Sequence, residues 1–256
     1  MIRVAAVGDV HVGPDSADIV REQLASVRDR ADVLLLAGDL TKSGAPDEAE
    51  ALADVLQDVQ LDVVGVLGNH DHHSDQQHAV ARILRDVGVV ILEGDGTLIE
   101  TENGTIGIAG VKGFGGGFAG ASASEFGEQE MKVFIRHTKE RADALERALA
   151  ALDSDVRIAL MHYSPVRETL QGEPPEIFPF LGSYLLAEAI DRAGADLAIH
   201  GHAHRGREHG LTPAGVNVRN VAQTVIRQGY AVYEFETSSS RRRPVVGVTS
   251  SPAVAD

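Results

Sequence analysis

Short apolar runs alternate with helix-spaced apolar residues along the first 92 positions. Each run is four to six residues long and rich in Val, Leu and Ile, which is typical of a buried strand. Between the runs, apolar residues recur three and four positions apart, which predicts helices. The predicted strands are Ile2–Val7, Val33–Ala37, Val63–Leu67 and Val89–Leu92, and the predicted helices are Ser16–Arg30, Pro46–Val59 and Gln76–Val87. This order favours an α/β fold with a largely parallel sheet covered by helices.

The pattern changes after residue 92. Asn103-Gly104 lies between two apolar runs and predicts a β-hairpin of Leu98–Glu100 with Thr105–Ala109. Glu128–Leu152 has apolar residues at alternating steps of four and three, which predicts the longest helix. Its apolar face fits either a core or a dimer interface, so the oligomeric state stays open. The other predicted elements are strands Val156–Met161, Asp196–His200, Val216–Val221 and Tyr230–Phe235, a helix Tyr184–Ala193 and a loop Pro174–Leu181.

Composition and charge narrow the class of protein. Residues 1–236 carry the alternating pattern and predict one domain, whereas residues 237–256 are rich in Ser, Arg and Pro and predict a disordered tail. The chain has 23 Lys and Arg against 38 Asp and Glu, a formal net charge of -15. It therefore repels nucleic acid and anionic membranes at long range, so a nucleic-acid partner is disfavoured. Bound metal ions would still create a local cationic site.

The cysteine content limits the possible catalytic and metal chemistry, and the apolar segments indicate where in the cell the protein is expected. The chain has no cysteine, which excludes disulfides, Cys-ligated zinc and thiol nucleophiles. The longest apolar runs, such as Val33–Ala37, are too short to span a bilayer. The first residues lack the long apolar stretch of a signal peptide. We therefore expect a cytoplasmic enzyme without a membrane partner.

Five predicted strands are followed by side chains that bind metals. These side chains are Asp9 and His11, Asp39, Asn69 with His70 and Asp71, His162, and finally His202 and His204. The carboxyl ends of parallel strands meet at one edge of a sheet, where α/β folds gather their sites. Imidazoles and carboxylates without thiolates suit Zn, Fe or Mn. One Asp or His after a strand is commonly a turn residue, but five such endings in one chain favour a metal site.

The ordered set of motifs resembles a known family. Asp9-x-His11, Gly38-Asp39, Gly68-Asn69-His70-Asp71, His162 and Gly201-His202-x-His204 match the motifs of the calcineurin-like metallophosphoesterases, over residues 1–235. The resemblance implies a four-layer α/β/β/α sandwich that holds two divalent ions (Mn, Fe or Zn). It implies that the first ion is bound by Asp9, His11, Asp39 and His204. Asp39 would bridge to the second ion, which Asn69, His162 and His202 would complete.

The same resemblance implies a dinuclear metal-dependent phosphoesterase. A hydroxide that bridges the ions would attack phosphorus in line, His70 would face the substrate, and Asp71 would orient His70. The length of the chain favours a small phosphorylated substrate, most simply a phosphodiester such as a cyclic nucleotide. The alternatives are a phosphomonoesterase or protein phosphatase of the same superfamily, a non-catalytic metal-binding scaffold, and a dinuclear hydrolase of amides or esters.

Three further residues are candidates for substrate binding. Arg167 follows the His162 motif and would meet a phosphate, although a surface arginine fits equally well. Phe114 and Phe118 lie in a segment, 113–127, whose Gly, Ala and Ser content predicts a mobile loop. Their rings would stack on a base, and the alternative that we favour slightly is that they anchor the loop. His200 is expected to be a buried core histidine.

Overall fold

The computed structural model of the chain describes residues 1–236, and the predicted tail lies outside the described residues. The strands are β1 (Ile2–Val7), β2 (Val33–Ala37), β3 (Asp62–Val66), β4 (Val90–Ile91), β5 (Asp95–Thr101), β6 (Gly104–Val111), β7 (Gly117–Phe118), β8 (Ala121–Ser122), β9 (Val156–Met161), β10 (Leu197–His200), β11 (His209–Leu211), β12 (Asn217–Asn220) and β13 (Ala231–Phe235). The α-helices are α1 (Ala17–Leu24), α2 (Val27–Arg30), α3 (Pro46–Gln57), α4 (Gln77–Asp86), α5 (Gln129–Ala150), α6 (Phe178–Leu181), α7 (Tyr184–Ala193) and α8 (Gln223–Ile226). Three short 3₁₀ turns lie at His70–His72, Glu168–Leu170 and Pro175–Ile177.

Two large sheets form the centre of the molecule. The first has the strand order β13-β1-β2-β3-β4, and the second has the order β11-β12-β10-β9-β6-β5. Strands β1 to β4 are parallel, as are β12, β10, β9 and β6, whereas β13, β11 and β5 run antiparallel to their neighbours. The carboxyl ends of the parallel strands in each sheet therefore lie at one edge of that sheet.

Alternation of side chains along the strands builds the four layers. In β1, Ile2, Val4 and Ala6 pack into the core between the two sheets, while Ala5 and Val7 pack under the helices on the outer face of the first sheet. On the outer face of the second sheet, strand residues pack against α5 and α7. Because successive residues of a strand point to opposite faces, a fully apolar strand supplies two cores at once. The predicted α/β/β/α sandwich is confirmed.

Some predicted elements are divided or extended in the structure. The predicted helix Ser16–Arg30 is two helices, and at the break the Ser26 hydroxyl lies 2.8 Å from the Tyr230 hydroxyl. The predicted loop 113–127 contains the short hairpin β7–β8, and the predicted loop Pro174–Leu181 contains α6. Within residues 1–236, no helix combines the length and the apolar content that a bilayer crossing requires.

Candidate active site

The predicted ligands come together at the carboxyl edge of both sheets. Asp9 and His11 follow β1, Asp39 follows β2, and Asn69 follows β3, all in the first sheet. The second sheet contributes His162 after β9 and the pair His202 and His204 after β10. We call these seven residues the candidate ligand cluster. Its members lie up to 195 positions apart in the chain, yet His204 Nε2 is 2.8 Å from Asp9 Oδ1.

The backbone at the cluster is unusual. Asp9, His11, Asp39 and His202 have positive φ angles of 58°, 42°, 50° and 68°. They account for four of the seven non-glycine residues with positive φ among residues 1–236. Side chains other than glycine rarely adopt this left-handed conformation, and it concentrates at functional sites. The strain at the strand ends is therefore confined mainly to the residues that sequence motifs predict as ligands.

Two glycines allow the carboxylates to approach the backbone closely. A Cβ atom on Gly68 would overlap the carboxylate and the backbone nitrogen of Asp39. A Cβ atom on Gly201 would overlap the Asp9 carboxylate in the same way. The motif glycines are thus explained by packing against the acidic ligands, since any side chain at either position would displace a carboxylate.

Two groups of potential ligand atoms share one residue. The ligand atoms of Asp9, His11, Asp39 and His204 all lie within 4.8 Å of one another. A second group, Asp39, His162 and His202, meets the same limit. The Asn69 side-chain oxygen lies 2.9 Å from His162 Nε2 and so borders the second group. The Asp39 carboxylate, which is 1% exposed, lies between the two groups.

Neighbouring charges shift the pKa values of several groups in the cluster. Burial alone would raise the pKa of Asp39, but the adjacent His162 outweighs it and holds that pKa well below its usual range. Burial alone would lower the pKa of His162, but the Asp39 carboxylate outweighs it and raises the pKa to about 9. The hydrogen bond to Asp9 raises the pKa of His204. A cation bound between these groups would take over the stabilisation of the carboxylates that the neighbouring imidazoles provide.

Two observations test whether the residues fit metal ions. His11 Nε2 is buried without a hydrogen-bond partner and lies 3.9 Å from Asp39 Oδ2, while burial lowers the pKa of His11. A neutral imidazole with an unused nitrogen is the form that binds a metal. His162 donates its Nδ1–H to the Ala37 carbonyl at 2.9 Å, and His202 donates Nε2–H to the Phe180 carbonyl at 3.3 Å. The bond to Ala37 leaves His162 Nε2 on the side of Asn69 and Asp39, as in typical metal sites, and the donor set of Asp, Asn and His side chains fits divalent ions.

His70 lies beside the cluster but belongs to neither ligand group. Its backbone N–H donates to Asp39 Oδ1 at 2.8 Å, and its ring Nδ1–H donates to the Lys42 carbonyl at 2.7 Å. Ring atom Nε2 is 3.9 Å from Asp39 Oδ2, and the side chain is 45% exposed. The ring thus presents Nε2 to a molecule that approaches the cluster from solvent.

The Asp71 carboxylate binds backbone and hydroxyl groups of the neighbouring loops, and its predicted role of orienting or polarising His70 stays a prediction. The Asp71 carboxylate is fully buried and accepts hydrogen bonds from the backbone N–H groups of Leu40, Thr41 and Gly68 and from the Thr41 hydroxyl, at 2.6–3.1 Å. Burial raises the pKa of Asp71, and these four donors oppose that shift. Asp71 ties the loop after β2 to the loop after β3, and the group that holds the His70 ring is the Lys42 carbonyl.

The three predicted substrate-binding residues have different environments. Phe118 is 6% exposed and packs with Leu170, Phe178 and Leu181, so its ring anchors the segment, while its exposed edge borders the groove that contains Arg167. Arg167 is exposed and its guanidinium lies 5.5 Å from the centre of the Phe178 ring, in a groove whose lining includes none of the cluster residues. Phe114 is half-buried, and its ring lies 5.7 Å from that of Tyr163.

Two residues beside Phe114 were not singled out by the motifs. Lys112 Nζ lies 5.0 Å from the centre of the Phe114 ring and 5.3 Å from that of Tyr163. The Tyr163 ring in turn lies 4.3 Å from the His202 ring. We call Lys112, Phe114 and Tyr163 the rim. The rule that polar residues after strands mark the site would have found Lys112, but the predicted strand ends at Ala109, whereas β6 continues to Val111.

Comparison with known proteins identifies the family. The sequence model described as calcineurin-like phosphoesterase matches residues 2–206. This chain belongs to that family. A calcineurin-like phosphoesterase is a metal-dependent phosphoric ester hydrolase, and its divalent ions match the Asp and His groups described above. A search of curated protein sequences finds no match.

Solved structures show the same fold for this calcineurin-like phosphoesterase. The phosphopantetheinyl hydrolase PptH from Mycobacterium tuberculosis has a TM-score of 0.67 and 16% identity, covering 90% of this chain and 95% of its own. The protein TT1561 of Thermus thermophilus has a TM-score of 0.53 and 18% identity, covering 86% of this chain and 89% of its own. At these identities the likeness concerns the fold alone.

Proposed function

We propose that this chain binds two divalent ions and hydrolyses a small phosphodiester. The observation that carries the proposal is the position of Asp39, which belongs to both groups of potential ligands. A carboxylate has two oxygens and bridges two cations readily, whereas an imidazole normally binds one. We assign Asp9, His11 and His204 to one ion and Asn69, His162 and His202 to the other, with Asp39 shared.

The side chains of the site have separate tasks in this proposal. When bound, the two ions activate a water molecule and neutralise charge on the phosphoryl oxygens. Asp9 and Asp39 contribute two negative charges, so the loaded site stays cationic and attracts a phosphate despite the acidic surface of the chain. The water gives up one proton to solvent as its oxygen bonds to phosphorus, the ester P–O bond breaks, and the leaving oxygen takes a proton. We assign the donation of that proton to His70 Nε2, because the Lys42 carbonyl fixes the opposite side of the ring.

The size of the substrate is inferred from less direct observations. The family includes hydrolases of small phosphoesters, and the structurally similar protein PptH is named for a phosphopantetheinyl group. A cyclic nucleotide is a narrower version of the same proposal. The alternatives are a phosphomonoesterase or protein phosphatase activity, for which the same ligand cluster would serve.

Turnover of two chromogenic substrates tests the proposal. Metal-free protein is supplied with Mn²⁺ and assayed on bis-p-nitrophenyl phosphate and on p-nitrophenyl phosphate. We expect metal-dependent hydrolysis of the diester that falls at least about 100-fold in His70→Ala and in Asp39→Ala. Asp54→Ala and His73→Ala are matched controls, because both side chains lie outside the site.

The metal content of the two variants distinguishes the proposed proton donor, His70, from the proposed metal ligand, Asp39. His70→Ala should keep the bound metal of the wild type, whereas Asp39→Ala should lose it. Preference for the monoester would replace the diester proposal by a phosphomonoesterase. Two bound metal ions without turnover of either compound would contradict the hydrolase mechanism assigned here.

A further inference from the structure

Lys112 lies at the same edge of the second sheet as the ligand cluster. Strand β6 ends at Val111, which is paired in parallel register with Met161 of β9. The residue after β6 is Lys112, and the residue after β9 is the candidate ligand His162. The Lys112 carbonyl accepts hydrogen bonds from the backbone N–H groups of His162 and Tyr163 at 3.0 and 3.1 Å. The lysine is therefore held by the backbone that positions a ligand.

The Lys112 side chain is largely buried, but its ammonium group still reaches solvent and, among residues 1–236, has no carboxylate within ion-pair distance. The residue is 8% exposed, and within residues 1–236 its Nζ takes part in two cation–π contacts but in no hydrogen bond or ion pair. The neighbouring carboxylate, Glu93, accepts instead from the Lys112 backbone N–H at 3.1 Å and from the Arg141 guanidinium at 2.9 Å. An ammonium group on a largely buried side chain is normally paired with an anion, and this one is open to an anion that arrives from solvent.

The surroundings of Lys112 connect it to the ligand cluster and to a groove. The Tyr163 ring contacts both the ammonium and the His202 ring, so one aromatic ring lies between the cation and a candidate ligand. Phe114, which contacts the same ammonium, borders a groove of about 490 Å³ whose other lining residues are Gln129, Glu130, Val133, Phe134 and His137. A molecule with its ester at the cluster would thus meet a cation first and an apolar wall beyond it.

We propose that Lys112 is a specificity-determining residue that binds a second phosphate of the substrate, distinct from the one that is hydrolysed. This inference rests on the proposed function and adds a substrate class, an organic phosphodiester that carries a further phosphate group. The organic part of the substrate lies against Phe114 in the groove. A lysine acts as a compact point charge for phosphate, and the Phe114 and Tyr163 rings hold the ammonium in place by cation–π contacts.

A pair of substrates that differ by one phosphate tests this assignment. The first is the 5′-p-nitrophenyl ester of thymidine 5′-phosphate, and the second is the same ester with an added 3′-phosphate. Both release p-nitrophenol from the same type of bond, so the ratio of their kcat/KM values isolates the second phosphate. Binding of thymidine 3′,5′-bisphosphate and of thymidine 5′-phosphate to the Mn²⁺-loaded protein, measured by calorimetry, provides a readout that does not require turnover.

We expect the wild type to prefer the substrate and the ligand that carry the second phosphate. In Lys112→Met the preference should fall on the order of 10- to 100-fold, the range of a hydrogen bond to a charged group. Lys112→Arg should retain most of it, and this variant also guards against a loss of folding in Lys112→Met. The matched control is Lys139→Met, because Lys139 is an exposed lysine on α5 that pairs with Glu125.

The outcomes separate this inference from the proposed function. Absence of turnover with both substrates would overturn the proposed function, and calorimetry would still decide on Lys112. Turnover of both esters with equal kcat/KM, or a preference that survives in Lys112→Met, would overturn the inference and leave the proposed function intact.

Discussion

The ligand cluster and the rim are neighbours that are built in different ways. In the cluster, carboxylates and rings are fixed by hydrogen bonds to backbone groups, such as the 2.9 Å bond from His162 to the Ala37 carbonyl. In the rim, ring contacts of 5.0–5.7 Å between Lys112, Phe114 and Tyr163 replace hydrogen bonds. Directional bonds hold a geometry that one reaction requires, whereas ring contacts tolerate different partners. Substitutions in the cluster should therefore affect the hydrolysis of every substrate, whereas substitutions in the rim should affect the choice among substrates.

Loss of the shared carboxylate should have the largest effect. Asp39→Asn should lower turnover about 1000-fold or more, because the site loses charge stabilisation worth several kcal/mol. Asp9→Asn removes the same charge from one ligand group only. Metal analysis should therefore find that Asp39→Asn retains fewer ions than Asp9→Asn. Equal metal loss in the two variants would contradict the bridging role of Asp39.

A methyl group at Gly68 should produce the next largest effect. Because its Cβ would overlap the Asp39 carboxylate, Gly68→Ala should weaken metal binding about 10- to 100-fold, as the loss of a positioning contact does. Gly120→Ala is the control outside the cluster: its Cβ would meet no atom within 4 Å, and the strain of an alanine at φ +84° would fall on the β7–β8 turn and not on the ligands. Titration of the metal-free proteins with Mn²⁺ measures the metal affinity of both variants. Unchanged affinity in Gly68→Ala would show that the loop after β3 adjusts freely.

Substitution of Asp71 should act on stability. In Asp71→Asn the amide nitrogen cannot accept the hydrogen bonds that backbone N–H groups now donate, so the free energy of unfolding should fall by about 1–3 kcal/mol. Denaturant unfolding measures this loss, with Asp75→Asn at the surface as control. A shifted pH–rate profile with unchanged stability would instead support the predicted role of Asp71 in orienting His70.

Truncation of Phe114 should have the smallest effect on turnover. Phe114→Ala removes the ring that contacts Lys112. It should lower kcat/KM several-fold for the p-nitrophenyl ester that carries the 3′-phosphate, in the range of a cation–π contact. Phe118→Ala is the informative companion, because its buried ring should affect thermal stability before it affects substrate choice. If Phe118→Ala instead changed substrate choice and Phe114→Ala changed only thermal stability, Phe118 would be the substrate-binding ring.

Strands and ligand order could be predicted because both depend on local signals. Val33–Ala37 has the same bounds in prediction and structure, since a short, fully apolar run fits a strand that is covered on both faces. The motifs predicted seven ligands, and the structure brings all seven to one edge, although their roles in binding remain predictions. The order of the motifs along the chain was enough to predict this clustering, because the carboxyl ends of parallel strands lie at the same edge of a sheet.

The remaining features depend on partners that are distant in the chain. The break after α1 involves Tyr230, which is 204 positions from Ser26. The donors to Asp71 come from Leu40 and Thr41, about 30 positions earlier, so a local interpretation assigned the carboxylate to its neighbour His70. Lys112 resembles any polar residue after a strand, and it is distinguished only by the rings that surround it in three dimensions.

The position of β13 beside β1 has a consequence for the order in which the protein folds during its synthesis. Ile2 pairs with Phe235, and Gly8, just before Asp9, donates its N–H to the Val221 carbonyl at 2.9 Å. A ribosome that adds roughly 5–20 residues per second needs tens of seconds to deliver those partners. Throughout that interval the candidate ligands Asp9 and His11 exist without the strand that flanks them. If they bind a cation as proposed, we expect that binding only after residues 221–235 have been added.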